Sequence, residues 1–107
     1  MPYQLQATGY KLVPLSHVLQ WARMHFVYMV RCRDATLYTG YARDPERRAK
    51  AHNIGRGAKY TARRLPVTLV YTEACQSRSD ALKREYEIKC LTRAEKEALA
   101  SRQLIVT

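Results

Sequence analysis

The chain contains 107 residues, which is enough for one domain built around a single modest hydrophobic core. Its composition, 47% hydrophobic and 26% charged, excludes disordered and fibrous classes, and no run approaches the roughly 20 apolar residues of a membrane helix. The unusual quantity is charge, because 19 Lys and Arg residues against 9 Asp and Glu residues give a net charge of +10 and indicate a nucleic-acid partner.

The chain begins with residues 1–23, which Pro2, Gly9 and Pro14 interrupt. We interpret this segment as an N-terminal extension that is loosely attached or not translated, with Met24 as the alternative start. Residues 1–10 contain no Lys or Arg and so do not resemble a secretory signal. Three widely spaced cysteines predict neither a disulfide framework nor a zinc site, but small core residues in a reducing compartment. The three cysteines are Cys32, Cys75 and Cys90. We therefore expect a cytoplasmic protein, and a monomer is the default expectation.

A β-hairpin comes next. Residues 26–32 are β-branched and aromatic, residues 33–36 form a turn, and residues 37–41 return as a second strand. Asp44 and Pro45 then predict the start of a helix that runs to about residue 53. We expect residues 55–61 to form a flexible basic loop and residues 67–72 to form a third strand.

Two helices complete the predicted domain. Ser77 or Ser79 can cap a helix over residues 80–90, and Thr92 followed by Glu95 is a capping box that begins a short last helix. The order ββαβαα predicts an α+β fold with a small, mostly antiparallel three-stranded sheet flanked by helices. We place the domain at residues 24–100 and a C-terminal tail at residues 101–107.

The positive charge is concentrated in residues 43–64, where eight Lys or Arg side chains face two acidic ones. The remainder mixes both signs, as solvated surfaces commonly do. This segment is therefore where we expect contacts with nucleic-acid phosphates, and Tyr60 can also stack on a base. The candidate nucleic-acid-binding residues are Arg43, Arg47, Lys59, Tyr60, Arg63 and Arg64.

Five polar residues lie at predicted rigid positions. Tyr28 and Tyr38 are on the hairpin strands, Arg48 and His52 lie four residues apart on one helix face, and Glu85 is on a later helix. Phosphodiester hydrolysis requires a base for the attacking water, positive charge for the transition state and a hard oxygen ligand for a divalent metal. These five residue types match those requirements.

The same residues resemble the motif of the GIY-YIG nuclease superfamily, in its small single-domain bacterial branch. The first half of the motif appears as Phe26-Val27-Tyr28 and the second as Tyr38-Thr39-Gly40. Arg48 and His52 follow Tyr38 by ten and fourteen residues, as in the family, and Glu85 matches its metal-binding glutamate. The resemblance covers roughly residues 24–100.

The resemblance implies an endonuclease that hydrolyses DNA with Mg²⁺ or Mn²⁺, acting in DNA repair or turnover. Tyr38 would act as the general base or orient the water with help from His52, and Tyr28 would position water or phosphate. Arg48 would stabilise charge on the scissile phosphate, and Glu85 would hold the metal. Because a neutral phenol is a poor base at neutral pH, whether Tyr38 or His52 takes the proton stays open.

Hairpin geometry provides an independent check. Tyr28 and Tyr38 can share a face only if opposed residues have numbers that sum to an even value. We therefore predict an odd number of loop residues, or a bulge such as Gly40 could provide.

Glu87 lies about 200° around its helix from Glu85, and we expect it to pair with a nearby Lys or Arg rather than to bind the metal. Tyr71 and Tyr86 are expected in the core or at its rim.

Two other functions fit the composition. One is a catalytically weak module that keeps the fold and binds DNA or RNA, and the other is a basic RNA-binding or ribosome-associated accessory protein. Binding alone needs no carboxylate facing a phosphate, which favours the nuclease. Replacement of Glu85 by Ala separates the hypotheses, because only a nuclease loses an activity.

Overall fold

The computed structural model describes residues 22–106, with side chains through Arg102, so most of the proposed N-terminal extension lies outside the described residues. Three antiparallel strands form an open sheet in the order β2-β1-β3, which confirms the predicted α+β fold. None of the helices in the described part is long and apolar enough to cross a membrane. The elements are β1 (His25–Arg31), β2 (Leu37–Ala42), α1 (Pro45–Asn53), α2 (Lys59–Ala62), β3 (Thr68–Cys75), α3 (Arg78–Lys89) and α4 (Arg93–Val106).

The hairpin between β1 and β2 has the predicted parity. Tyr28 pairs with Gly40 and Val30 pairs with Tyr38, so opposed residue numbers sum to an even value. Arg31 pairs with Leu37, which leaves five residues in the loop, an odd number. Tyr28 and Tyr38 therefore point to the same face of the sheet, and no bulge is needed at Gly40.

Side-chain caps begin the helices where the sequence predicts them. The Asp44 carboxylate accepts a hydrogen bond from the Arg47 amide at 3.1 Å, and Pro45 occupies the first turn of α1. Ser77, rather than Ser79, caps α3. Thr92 and Glu95 form both bonds of a capping box at 2.9 and 3.1 Å.

The two faces of the sheet pack against different helices. On one face, Val27 and Met29 join side chains of α3 and α4, including Ile88 and Leu99, in an apolar cluster. On the other face, residues of β1 such as Val30 pack with α1 and with Val67, which precedes β3. Because successive strand residues alternate between faces, β1 contributes to both clusters.

Several sequence predictions were wrong or too short. Residues 59–62 form the short helix α2 rather than part of a flexible loop, and β3 extends through Cys75. Helix α4 is longer than predicted and continues through residues assigned to a C-terminal tail, where no Gly or Pro stops it. Among the cysteines only Cys32 is buried in the core, and Cys90 is exposed. Tyr71 lies in the core as predicted, whereas Tyr86 is 71% exposed.

Candidate active site

The hairpin places the two tyrosines side by side above one face of the sheet. The ring of Tyr28 lies across Gly40 on the neighbouring strand, where a Cβ atom would stand 2.6 Å from the Tyr28 hydroxyl oxygen. Gly40 is therefore required by close approach of a side chain, and Tyr28 is only 1% exposed as a result of this packing. Gly40, in the second half of the sequence motif, thus leaves the space that the ring of Tyr28, in the first half, occupies.

Helix α1 brings Arg48 and His52 to the same place, because residues four apart lie on one helix face. The Nε2 atom of His52 is 2.8 Å from the Tyr28 hydroxyl oxygen. His52 is fully buried, whereas Arg48 is exposed. The sequence analysis paired His52 with Tyr38, but the hydrogen bond in the structure joins His52 to Tyr28.

The segment after α1 encloses the His52 ring, a role that the sequence analysis missed. The Thr61 hydroxyl oxygen is 2.8 Å from Nδ1 of His52, and Thr61 is fully buried. Gly57 lies against the same ring, since a Cβ atom there would be 1.9 Å from Nδ1. The only signal in the sequence was the pair of glycines at positions 55 and 57 with a threonine at position 61. The basic residues between them led us to interpret the segment as a phosphate-binding loop.

Tyr38 occupies the outer part of the cluster. Its ring stands edge-on to His52 with a centroid distance of 5.5 Å, and it stacks on Tyr60 at 6.1 Å. Tyr38 is half-buried, so it is more accessible than Tyr28. Tyr60 is 39% exposed, but the guanidinium of Arg64 lies 3.8 Å from its ring centroid. The ring predicted to stack on a base therefore already has two neighbours within the protein.

Glu85 approaches the cluster from α3. Its side chain is 16% exposed and forms a 2.9 Å ion pair with Lys89, four residues on. Its charge is felt at the Tyr28 hydroxyl, where it opposes ionisation. Glu87 pairs with Arg84 at 3.1 Å and is 62% exposed, as predicted for the neighbouring carboxylate.

Burial and charge set the protonation of the two buried groups. Burial raises the pKa of Tyr28, and the neighbouring positive charge of Arg48 offsets part of that rise. Burial also lowers the pKa of His52, and the neighbouring Arg48 lowers it further. His52 is therefore neutral at pH 7, and one of its ring nitrogens must accept a hydrogen bond while the other donates one.

The donor set can be compared with what a divalent cation requires. Mg²⁺ keeps several waters and is commonly held by one or two carboxylates together with substrate phosphates. Among the described residues no group of three or more His, Cys, Asp or Glu side chains converges. The largely buried carboxylate of Glu85 fits a metal that a phosphate also ligates. Its ion pair with the exposed Lys89 contributes little stability, so metal binding could replace that pair at small cost.

The five basic residues of the predicted nucleic-acid-binding set fall into two groups. Arg43 donates to the backbone oxygens of Met24 and Ala22, and Arg64 pairs with Asp34 at 3.0 Å. These two arginines therefore already have partners within the protein, and their assignment as phosphate ligands stays a prediction. The others, which are exposed and form no ion pair with any residue in the described range, are Arg47, Lys59 and Arg63.

Comparison with known proteins adds an independent result. The sequence model of the GIY-YIG catalytic domain matches residues 24–98. A UPF0213 protein of Halobacterium salinarum is 58% identical over 76 residues, covering 71% of this chain and 99% of that protein. A UPF0213 protein of Staphylococcus aureus is 60% identical over 72 residues, covering 67% of this chain and 88% of that protein.

Two solved structures are also similar. The solution NMR structure of a protein from E. faecalis has a TM-score of 0.52 at 42% identity, covering 77% of this chain and 88% of that one. The NMR structure of a UPF0213 protein from Bacillus halodurans has a TM-score of 0.48 at 49% identity, covering 73% and 83%. The motif residues and the family match agree, and the chain belongs to the GIY-YIG family.

Proposed function

We propose that the protein is a divalent-metal-dependent endonuclease that hydrolyses DNA phosphodiester bonds. One observation carries the proposal: the exposed guanidinium of Arg48, the half-buried phenol of Tyr38 and the largely buried carboxylate of Glu85 lie around the buried Tyr28–His52 pair. Hydrolysis of a phosphodiester needs positive charge, a positioned water and a hard oxygen ligand, and these groups provide one of each. Membership of the GIY-YIG family supports the same reaction class.

Arg48 is the group that we assign to the scissile phosphate. It is exposed at the mouth of the cluster, and a guanidinium presents several donors in a planar arrangement that matches phosphate oxygens. As the water oxygen bonds to phosphorus and the bond to the leaving sugar oxygen breaks, negative charge accumulates on the phosphate oxygens. A fixed positive charge there stabilises the transition state more than the ground state.

Glu85 is the residue that we assign to a divalent cation, Mg²⁺ or Mn²⁺. A divalent cation held by this carboxylate would supply charge that offsets the negative charge of the transition state and would make a bound water more acidic. The contribution of the protein is to hold a single carboxylate on a rigid helix beside the other groups. Lys89 balances the Glu85 charge in the free protein.

Accessibility supports Tyr38 rather than His52 as the base. His52 is fully buried and both of its ring nitrogens contact protein atoms, so it cannot take a proton directly from the attacking water. Tyr38 is the accessible phenol, and we assign it to orienting and deprotonating that water. Tyr28 and His52 then act behind the reacting groups, as positioning residues.

Substrate binding is assigned to the exposed basic residues beside the site. Arg47 lies next to Arg48 on α1, Lys59 begins α2, and Arg63 follows its last residue. Long flexible cations contact phosphates and do not distinguish bases, so the proposal is cleavage that depends on DNA structure rather than sequence. Such an activity would serve DNA repair or turnover.

The test compares the wild-type protein with Glu85→Ala on labelled single-stranded, duplex and branched DNA and on RNA. Each reaction is run with Mg²⁺, with Mn²⁺ and with EDTA. Glu87→Ala is the matched control, because it removes a carboxylate from the same helix that pairs only with Arg84 among the described residues. We expect metal-dependent cleavage that falls by about 10²-fold or more in Glu85→Ala and persists in Glu87→Ala.

Each other outcome contradicts part of the proposal. Equal cleavage by wild type and Glu85→Ala would reject Glu85 as the metal ligand. Tight DNA binding without cleavage by the wild type would reject the nuclease and support a binding module that keeps the fold. Cleavage of RNA in preference to DNA would change the substrate class.

A further inference from the structure

Tyr38, at the outer part of the candidate site, belongs to a stack of three side chains. Its ring lies on the ring of Tyr60, with centroids 6.1 Å apart and planes inclined by 20°. The central guanidinium carbon of Arg64 lies 3.8 Å from the centroid of the Tyr60 ring. Aromatic pairs and cation–π pairs are both attractive at such distances. Tyr60 therefore packs against the protein although 39% of it is exposed.

The guanidinium at the end of the stack is held by two further bonds. Nη1 of Arg64 donates to the Tyr60 carbonyl at 2.8 Å, and Nε donates to the Asp34 carboxylate at 3.0 Å. The backbone joins the same segments, because the Arg33 amide donates to the Arg64 carbonyl at 2.9 Å. The ion pair with Asp34 is partly exposed and adds little to stability. Its consequence is the orientation of a planar group that also lies on the Tyr60 ring.

The contacts return to Tyr38 through the loop between β1 and β2. Asp34 in that loop accepts hydrogen bonds from the Thr36 amide at 3.2 Å and from the Thr36 hydroxyl at 2.6 Å. Strand β2 begins at the next residue, so Tyr38 follows Thr36 by two positions. The contacts thus form a closed cycle from Tyr38 through Asp34, Arg64 and Tyr60 back to Tyr38. Each side chain in the cycle is held from two sides.

Packing, rather than hydrogen bonding, sets the direction of the Tyr38 phenol. Its hydroxyl makes no hydrogen bond to any residue in the range 22–102. The ring is bounded instead by two other rings, standing edge-on to His52 at a centroid distance of 5.5 Å and stacking on Tyr60. His52 is fully buried and fixed, whereas Tyr60 is on the surface. The contacts of Tyr60 therefore decide whether Tyr38 keeps one orientation.

We propose that Tyr60 is a positioning residue that holds Tyr38 in a single side-chain rotamer, and that Arg64, paired with Asp34, holds Tyr60 in place. This role differs from the base stacking that the sequence predicted, because Tyr60 acts through Tyr38 and not on the substrate. The consequence for cleavage rests on the proposed function, in which Tyr38 deprotonates the attacking water, whereas the rotamer does not. A phenol already aligned with that water raises kcat rather than affinity.

The first measurement is the χ1 rotamer of Tyr38 in the intact isotope-labelled protein. Three-bond NMR couplings between Hα and the two Hβ protons distinguish one rotamer from an average, and nuclear Overhauser effects report contact between the Tyr38 and His52 rings. We expect one rotamer in the wild type and in Tyr60→Phe, and an average in Tyr60→Ala and Arg64→Met. Tyr86→Ala is the matched control, because it removes a tyrosine that is 71% exposed on α3.

The second measurement is cleavage of DNA by the Tyr60 variants. We expect kcat of Tyr60→Ala to fall roughly 10- to 100-fold with KM unchanged, and Tyr60→Phe to retain wild-type activity because it keeps the ring. A residue that stacks on a base of the substrate would instead raise KM and leave kcat unchanged. A merely structural role would lower the unfolding midpoint and leave the Tyr38 rotamer in place.

The outcomes are separable. Averaged couplings for Tyr38 in the wild type would overturn the proposal even if no variant folds. A single rotamer kept in Tyr60→Ala, or equal averaging in Tyr86→Ala, would also overturn it, and a single rotamer kept in Arg64→Met would remove Arg64 from it. A rise in KM alone would overturn it in favour of base stacking. Absence of cleavage by the wild type, with the expected rotamers, would reject the proposed nuclease and leave the positioning role of Tyr60 intact.

Discussion

The two faces of the sheet use the same strand for different purposes. On the face covered by α3 and α4, β1 contributes Val27 and Met29 to an apolar core, and at the edge of that core the Tyr71 hydroxyl bonds to Glu73, which pairs with Arg84. Tyr28 lies between Val27 and Met29 in the sequence and points to the opposite face, which α1 and α2 cover. There it hydrogen-bonds to His52, whose ring also contacts Thr61. The apolar face can adjust its packing by small movements, whereas the polar face loses a partner when any member is removed.

The candidate site takes residues from both faces of the sheet. Arg48 and His52 come from the polar face, but Glu85 comes from α3, which belongs to the apolar face. The apolar core therefore sets where the carboxylate stands, and the hydrogen bonds of His52 with Tyr28 and Thr61 set the buried polar part of the site. We expect damage to the first to lower stability and damage to the second to lower activity.

The largest change in stability is expected from Ile88→Ala on the apolar face. Ile88 is fully buried, and truncation should reduce the free energy of unfolding by about 2–5 kcal/mol, as measured by urea denaturation. The His52 imidazole signals should not move. Combined with Thr61→Val, the losses should add to within about 0.5 kcal/mol, and a larger coupling would show that the faces are not independent.

A smaller loss is expected from Gly57→Ala on the polar face. The new Cβ atom would overlap the His52 ring, and such overpacking costs about 1–3 kcal/mol. The His52 signals should shift, in contrast to Ile88→Ala. Gly55→Asn is the control, because nothing lies within 4 Å of a Cβ there and Asn tolerates its φ of 83°. Equal losses in both variants would contradict close packing of Gly57 against His52.

The smallest effect is a dependence of stability on pH. Because burial and Arg48 lower the pKa of His52 below its ordinary 6.5, the unfolded chain binds more protons than the folded one as pH falls. The contribution of His52 to stability is thus complete above the ordinary pKa of 6.5 and declines as the pH falls below it toward the lowered pKa of the folded state. Urea unfolding of wild type and His52→Gln measures it, and parallel pH profiles would contradict the shift.

Much of the fold could be predicted because local chemistry determines it. Asp44 with Pro45, Ser77, and the pair Thr92 and Glu95 each satisfy free helix amides within a few residues of chain, so their effect is visible in the sequence. The parity of the hairpin could be predicted for a similar reason, since side chains alternate along a strand whatever the rest of the protein does.

The parts that could not be predicted depend on contacts between distant residues. Helix α2 has four residues, too few to form on local preference alone, and it is stabilised by the Thr61 contact with His52. Arg43 and Arg64 are part of a basic segment, and only the folded structure shows that their charges are used internally. For the same reason, the sequence linked His52 with Tyr38 rather than with Tyr28.

The odd number of loop residues between β1 and β2 limits how this domain can vary in length. The loop closes with a hydrogen bond from the Cys32 amide to the Thr36 carbonyl at 2.8 Å, and Ala35 adopts a positive φ of 72° within it. An insertion or deletion of one residue would turn Tyr38 to the opposite face, whereas a change of two would keep it in place. Relatives and designed variants should therefore differ in this loop by even numbers of residues, or compensate with a bulge in one strand.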